Sequence, residues 1–161
     1  MLRTTKILLI LTVVLWGGIG AIHNIVDWSG TTGAVAAATS MVTFDGGAES
    51  LQATSSPIII WIGALFIMLS KVTASVMCII GAERMWKARG SDSAIFAKAK
   101  EIALVGCAIA VIMLFGGFIV IAESWFELWR SDIMRGPVLE SAFRYGGMIT
   151  LIAIFVGARD D

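Results

Sequence analysis

A lysine lies in the middle of a segment long and apolar enough to cross a bilayer. Lys71 is flanked by apolar runs in "LFIMLSKVTASVM", residues 65–77. On a helix, Ser75 and Cys78 follow it on one face and extend it into a narrow polar stripe. In a span over 58–82, about 18 Å of helix separates Lys71 from either boundary. A charged amine there costs at least about 2.5–3.5 kcal/mol, so it must meet a polar group or lose its proton.

The partner of this amine is not obvious from the sequence. The polar residues predicted at comparable depth are Ser70, Thr73 and Thr150, whereas every carboxylate is placed nearer a boundary. One interpretation is a neutral lysine bonded to hydroxyl groups of its own bundle. The other is a group from outside the chain: another subunit, an anionic or carbonyl ligand, or water in a cavity. Ionisable residues inside membranes are often functional, which favours the outside group.

Other reactive residues give weaker signals. His23 and Asp27 are four residues apart and would form a dyad at the end of the first helix, although such a pair more often caps a helix. His23 is the single histidine and no metal-binding motif is present, so we predict no metal, no cofactor and no catalytic residues. Cys78 and Cys107 fall in apolar runs, which predicts packed thiols rather than a disulfide.

Composition identifies the class of protein. The chain has 161 residues, of which 58% are hydrophobic and 15% charged, and its mean hydropathy is +0.89. A water-soluble domain of this size would be more charged and less apolar. Twelve basic and twelve acidic side chains cancel, so no excess of basic charge points to nucleic acid. These values predict an integral membrane protein in contact with the lipid bilayer.

Four segments reach the roughly 20 residues that a membrane helix needs. The predicted spans are about 7–26, 58–82, 102–122 and 138–157. The first resembles a secretory leader, but its apolar character continues to Val26, which predicts a retained helix. The predicted fold is all-α: one domain over 1–161, a four-transmembrane-helix bundle with a short interfacial helix between the third and fourth spans.

Basic residues predict the orientation. They gather before the first span, between the second and third spans, and after the fourth span, whereas the 27–57 loop contains no Lys or Arg. The positive-inside rule then places both termini in the cytoplasm. With four spans, the chain is expected to cross the membrane several times.

The predicted interfacial helix covers residues 123–136. Its apolar and charged residues fall on opposite helical faces: Trp125, Trp129 and Ile133 against Glu123, Glu127 and Arg130. The favoured interpretation is an anchor in the membrane surface. The alternative is a docking surface in which Trp125, Trp129 and Arg130 bind a partner.

Two further features of the sequence concern the fourth span and the 27–57 loop. Glu140 and Arg144 stand at i and i+4 with the acid first, which predicts a structural ion pair. The long 27–57 loop contains "AVAAATSMV", a stretch compatible with a short surface helix, and its role stays open.

Several motifs together resemble one bacterial family. They are "HNIVDW", "SMVTFD", "TSSP", "GAERMWKAR", "ESWFELWRS" and "AFRYGG", which follow one another across most of the chain. They resemble the predicted small integral membrane proteins of domain-of-unknown-function family 2165. The resemblance implies four helices and a bacterial inner membrane. It implies no activity.

Three functions are compatible with these features. The favoured one is a non-enzymatic accessory or structural subunit of a larger inner-membrane complex. In it, Lys71, Ser75, Trp125, Trp129 and Arg130 bind a partner or ligand, and the partners are other membrane subunits or further copies of the chain. The alternative is a small channel or transporter-like homo-oligomer lined by Lys71. An enzyme using His23 and Asp27 comes last.

Overall fold

The computed structural model describes residues 1–160, and these residues form helices joined by turns. Two helical segments with wide, π-type turns extend the α-helices: Ile112–Trp125 continues the fourth, and Arg135–Glu140 leads into the fifth. The α-helices are α1 (Leu2–Val26), α2 (Trp28–Ser40), α3 (Pro57–Lys87), α4 (Ser93–Val111) and α5 (Ser141–Gly157).

Four continuous helical stretches are long and apolar enough to cross a membrane. They are Leu2–Val26, Pro57–Lys87, Ser93–Trp125 and Arg135–Gly157. This confirms four candidate spans, although each extends beyond the predicted bounds. Many large apolar side chains on their outer faces are exposed, which suits contact with lipid tails. The 27–57 connection contains α2, which is longer than the short surface helix that its composition suggested.

The bundle has two different ends. The terminal end carries the start of α1, the turn between α3 and α4, and the end of α5. The loop end carries residues 27–56, which include α2, and the connection 126–134 between the last two spans. These two names are used below.

Small residues bring α3 close to its neighbours toward the terminal end. Gly81 packs directly against Ala103 of α4, and Gly106 packs against Cys78. On the other side of α3, Gly17 of α1 faces Ser75, whose hydroxyl donates a hydrogen bond to the Val14 carbonyl at 3.2 Å. Residues without large side chains allow such close helix approach, which compensates in lipid for the missing hydrophobic driving force.

Toward the loop end, α2 packs against α3, and the 126–134 connection packs against the Ile112–Trp125 segment of the fourth helix. Ala38 of α2, Leu128 of the connection and Leu139 form a small buried cluster. Trp28 and Trp61 bring the start of α2 to the first turns of α3, with ring centroids 5.3 Å apart. We call α2 and residues 126–134 together the cap.

The predicted interfacial helix over 123–136 is not confirmed. The fourth helix runs on to Trp125, Glu127 takes a left-handed conformation (φ +50°), and a single 3₁₀ turn, Leu128–Arg130, follows. Left-handed backbone at a residue other than glycine is uncommon and ends a right-handed helix. Leu128, which follows Glu127, is fully buried in a cluster with Ala38 of α2, so the chain turns inward where amphipathic spacing predicted an interfacial helix.

The predicted ion pair between Glu140 and Arg144 is not formed within residues 1–160. Arg144 instead donates a hydrogen bond to Ser141 Oγ at 3.0 Å. Glu140 ends the wide turns of Arg135–Glu140. The Arg144 guanidinium is thus bound by Ser141, three residues earlier, rather than by Glu140.

A buried ion cluster closes the terminal end. Asp160 lies 2.8 Å from Lys6 Nζ of α1 and 2.6 Å from Lys100 Nζ of α4, and all three side chains are almost fully buried. Both ammonium groups also donate to the Ala158 carbonyl, at 2.7 and 2.8 Å. Burial alone would raise the pKa of Asp160, but the hydrogen bonds and charges of Lys100 and Lys6 outweigh it and hold that pKa below its usual value.

This cluster makes stability depend on pH. Because the folded pKa is lowered, the stabilising contribution of Asp160 is complete at neutral pH and is lost as the pH falls below about 4. We expect Asp160→Asn to lower the free energy of unfolding by about 2 kcal/mol at pH 7, between values typical of exposed and buried pairs. Thermal unfolding in detergent measures this, with Glu83→Gln in the exposed Lys87 pair as control. Equal stability of Asp160→Asn and the unmodified protein at pH 7 would contradict it.

Candidate functional site

The ammonium of Lys71 is bound by an amide of its own chain. Lys71 Nζ donates a hydrogen bond to Asn24 Oδ1 at 2.7 Å, across the contact between α3 and α1. Among residues 1–160 this is its single hydrogen bond, and no carboxylate lies within ion-pair distance. An ammonium group carries three donors. Two of them are therefore available to a further acceptor.

A short hydrogen-bonded chain orients this acceptor. Asn24 Nδ2 donates to Thr31 Oγ1 of α2 at 2.9 Å, and Thr31 Oγ1 donates in turn to the Asp27 carbonyl at 3.0 Å. Asn24 lies two residues before the end of α1, and Thr31 lies in the first turn of α2. The turn between α1 and α2 thus presents the amide oxygen to Lys71.

The ammonium lies closer to the loop end than the sequence predicted. Lys71 is in the middle of a 31-residue helix, about 46 Å long and longer than the hydrocarbon core. Its methylene stem runs beside Gly20 and its ammonium reaches Asn24, in the last turn of α1. Helical side chains tilt toward the helix N-terminus, which in α3 is the loop end. The charged group therefore lies on the loop-end side of its own backbone position in α3.

Lys71 lines a first cavity of about 540 Å³ between the cap, α3 and the Ile112–Trp125 segment. Four lining residues have polar side chains, and three of them, Asn24, Thr31 and Lys71, form the hydrogen-bonded chain at one end. The remaining walls are almost entirely apolar. Such a volume with few convergent polar groups is typical of small-molecule sites.

Lys71 also lines a second cavity, of about 400 Å³, between α1, α5 and the fourth helix. This cavity is more polar, because His23, Ser141 and Tyr145 share its wall with Lys71. Trp16 and Tyr145 pack across it with ring centroids 5.9 Å apart. Phe118 and Val138 line both cavities. The lysine therefore stands at the partition between an apolar space and a more polar one.

The rest of the predicted polar stripe does not join this site. Ser75 is buried and bonded to the Val14 carbonyl, and Cys78 is buried against Ala103 of α4, its thiol 3.6 Å from the Ala103 carbonyl oxygen. Both side chains are used in contacts within the bundle and line neither of the two cavities. Cys78 and Cys107 are free, buried thiols, as predicted.

The aromatic and basic residues of the 123–136 segment lie apart from Lys71. Trp125 and Trp129 are exposed at the loop end. Arg130 is engaged within the chain: it pairs with Glu127 at 2.8 Å, donates to the Asp45 carbonyl at 3.1 Å and covers the Phe44 ring at 4.6 Å. Arg130 thus fastens the cap to the 41–50 segment.

His23 and Asp27 do not form a dyad. The Asp27 carboxylate caps α2 by accepting hydrogen bonds from the Gly30 backbone N–H at 2.9 Å and from Ser29 Oγ at 3.3 Å. His23 lines the second cavity. The capping interpretation of the sequence is therefore confirmed for Asp27.

The fold and the comparisons together define the class of protein. Four apolar helical spans in an all-helical chain define a multi-pass integral membrane protein. The family described as predicted small integral membrane protein, domain-of-unknown-function family 2165, matches residues 2–159. The chain belongs to this family, which confirms the resemblance of its motifs. No curated protein and no solved structure matches it.

Sequence reasoning missed Asn24 and Thr31. The predicted spans put Asn24 in the last turn of the first helix and Lys71 near the middle of the second, so the sequence does not indicate that they meet. A signal was available: the lysine stem points toward the start of its own helix, and Asn24 is the amide nearest that end of the antiparallel first span. Thr31 carries no comparable signal, because it lies in a loop whose path the sequence does not reveal.

The Lys71–Asn24 hydrogen bond should be measurable as a coupling free energy between the two residues. Asn24→Leu removes the acceptor at similar volume, and we expect a loss of about 1.5–3 kcal/mol in the free energy of unfolding, as for hydrogen bonds to charged groups. Asn24→Asp restores an acceptor and should lose less. In a double-mutant cycle with Lys71→Met, unfolding in mixed detergent measures the coupling. Strict additivity of the two losses would contradict the bond.

Proposed function

We propose that this protein is a non-enzymatic binding subunit of the membrane, in which Lys71 receives an acceptor group from outside the chain. The observation that carries the proposal is the incomplete coordination of Lys71. Its ammonium has one neutral acceptor, two further donors and access to two cavities. A cationic group in such surroundings gains much from an additional acceptor.

A non-enzymatic role is supported by the use of the candidate reactive groups. Asp27 caps a helix, Ser75 is bonded to backbone, and both thiols are packed in the α3–α4 contact. Catalysis by a nucleophile requires a base within hydrogen-bond reach of it. Binding requires only the cavity and the cation, which are both present.

We further propose that the protein acts as an accessory subunit beside other integral membrane chains. The loop end supports this. Trp125, Trp129, Ile133 and Leu51 expose large apolar surfaces there, outside the packed part of the cap. Exposed tryptophans are common anchors of interfaces. A membrane-surface anchor uses the same side chains, and copurification of a defined partner that is lost with Trp129→Ser distinguishes the two.

The proposed location is the bacterial inner membrane with the terminal end in the cytoplasm. Eight of the twelve Lys and Arg residues belong to segments at the terminal end, and Arg3 donates to the Arg89 carbonyl there. Cytoplasmic segments carry such an excess. An impermeant maleimide should label Ser29→Cys in spheroplasts and label Ser91→Cys only after the membrane is opened. The reverse pattern would contradict this orientation.

Native mass spectrometry tests the binding function. The protein is purified in mild detergent as the unmodified chain, as Lys71→Met and as the matched control Lys87→Met, whose lysine is exposed and paired with Glu83. We expect a non-covalent component to be retained by the unmodified chain and Lys87→Met and to fall about tenfold or more in Lys71→Met. The same set of bound components in all three would contradict the proposal.

A further inference from the structure

The first cavity has its polar groups at one end and apolar walls elsewhere. Lys71, Asn24 and Thr31 are joined by hydrogen bonds of 2.7 and 2.9 Å at that end. Away from it, the walls come from α2, α3 and the fourth helix, for example Val35, Ile62, Phe66 and Ile121. A molecule that fills this space must be apolar along most of its length and carry its polar group at one terminus.

The cavity also borders the surface that faces lipid. Ile59, Ile62 and Phe66 of α3 and Ile121 of the fourth helix line the cavity, and all four are exposed. These two helices pack closely near the terminal end, at Gly81 and Gly106, whereas toward the loop end both of them line the cavity. The side of the cavity formed by these exposed residues is therefore the one from which a hydrocarbon chain of the bilayer would enter.

We propose that this cavity binds a long-chain carboxylate, a fatty acid taken from the bilayer, with its chain along the apolar walls and its carboxylate on Lys71. This deepens the proposed function, on which it rests, by naming the class of the outside group. The two donors of Lys71 that Asn24 leaves available are matched by the two oxygens of a carboxylate. The bound anion balances the ammonium, which has no carboxylate partner among residues 1–160.

Size and charge separate this ligand from other membrane molecules. A volume of about 540 Å³ falls within the range of sites for ligands of drug size, which suits one acyl chain with its head group. A long-chain alcohol has the chain but lacks the charge, and a long-chain amine repels the lysine. A phospholipid carries a second chain, which would remain outside in the bilayer.

Photolabelling tests the proposal directly. The purified protein is irradiated with a diazirine derivative of palmitic acid, and the labelled peptides are identified by mass spectrometry. We expect labels on the α2 and α3 residues that line the cavity, such as Val35 and Ile62. Excess oleate should remove about nine-tenths of the label, whereas excess oleyl alcohol should remove little, because each charged hydrogen bond is worth about tenfold or more in affinity.

Variants distinguish the contribution of the Lys71 charge from that of the cavity volume. Lys71→Met should reduce labelling about tenfold or more, Lys71→Arg should keep most of it, and Lys87→Met should leave it unchanged. Ala34→Phe, at an exposed position of the cavity wall, should reduce labelling by occupying the space. The competition between oleate and oleyl alcohol uses the unmodified chain, so it decides the question even if Lys71→Met fails to fold.

Three results would overturn the proposal: labels spread over all lipid-facing helices, equal competition by the acid and the alcohol, or competition by phosphatidylglycerol but not by oleate. The proposed function fails separately. If fatty acid does not bind but Lys71→Met still loses another component in native mass spectrometry, the binding role stands and only the ligand class is wrong.

Discussion

The hydrogen bond between Lys71 and Asn24 is the contact around which the loop end of this bundle is arranged. An ammonium on a membrane helix must meet an acceptor, and the acceptor here is an amide in the last turn of α1. The amide is held by Thr31, so the start of α2 is tied to the same point. One partly buried ammonium thereby links three helices, and it does so without a second charge.

The helices leave two cavities toward the loop end, where they pack less closely than at the terminal end. Toward the terminal end, small residues bring α3 against α1 and α4. Toward the loop end, the long Lys71 side chain lies beside Gly20, the fourth helix continues with wide turns, and the cap covers the gap. π-type turns are frequent near functional sites. The cavities follow from this change in packing along the bundle.

The lysines of the two ends differ in burial and in charge balance. At the terminal end, Lys6 and Lys100 share the Asp160 carboxylate and the Ala158 carbonyl, so both charges are balanced and held in place. At the loop end, Lys71 has a neutral partner and borders two cavities. A balanced cluster has little to gain from a ligand, whereas an under-coordinated ammonium gains a counter-charge. This contrast indicates a structural role for the cluster at the terminal end and supports the proposal that Lys71 binds a group from outside the chain.

The sequence by itself determined the membrane class and the four spans and singled out Lys71 as an isolated charge, because hydrophobic length and charge are local properties of the chain. It did not predict Asn24 as the partner of Lys71, Asp160 as the partner of Lys6 and Lys100, or the bend at Leu128. Each of these joins residues far apart in sequence, and helix bounds, tilt and rotation decide whether they meet. Only the tertiary structure decided them, because periodicity specifies a face of one helix but not which neighbouring side chain reaches it.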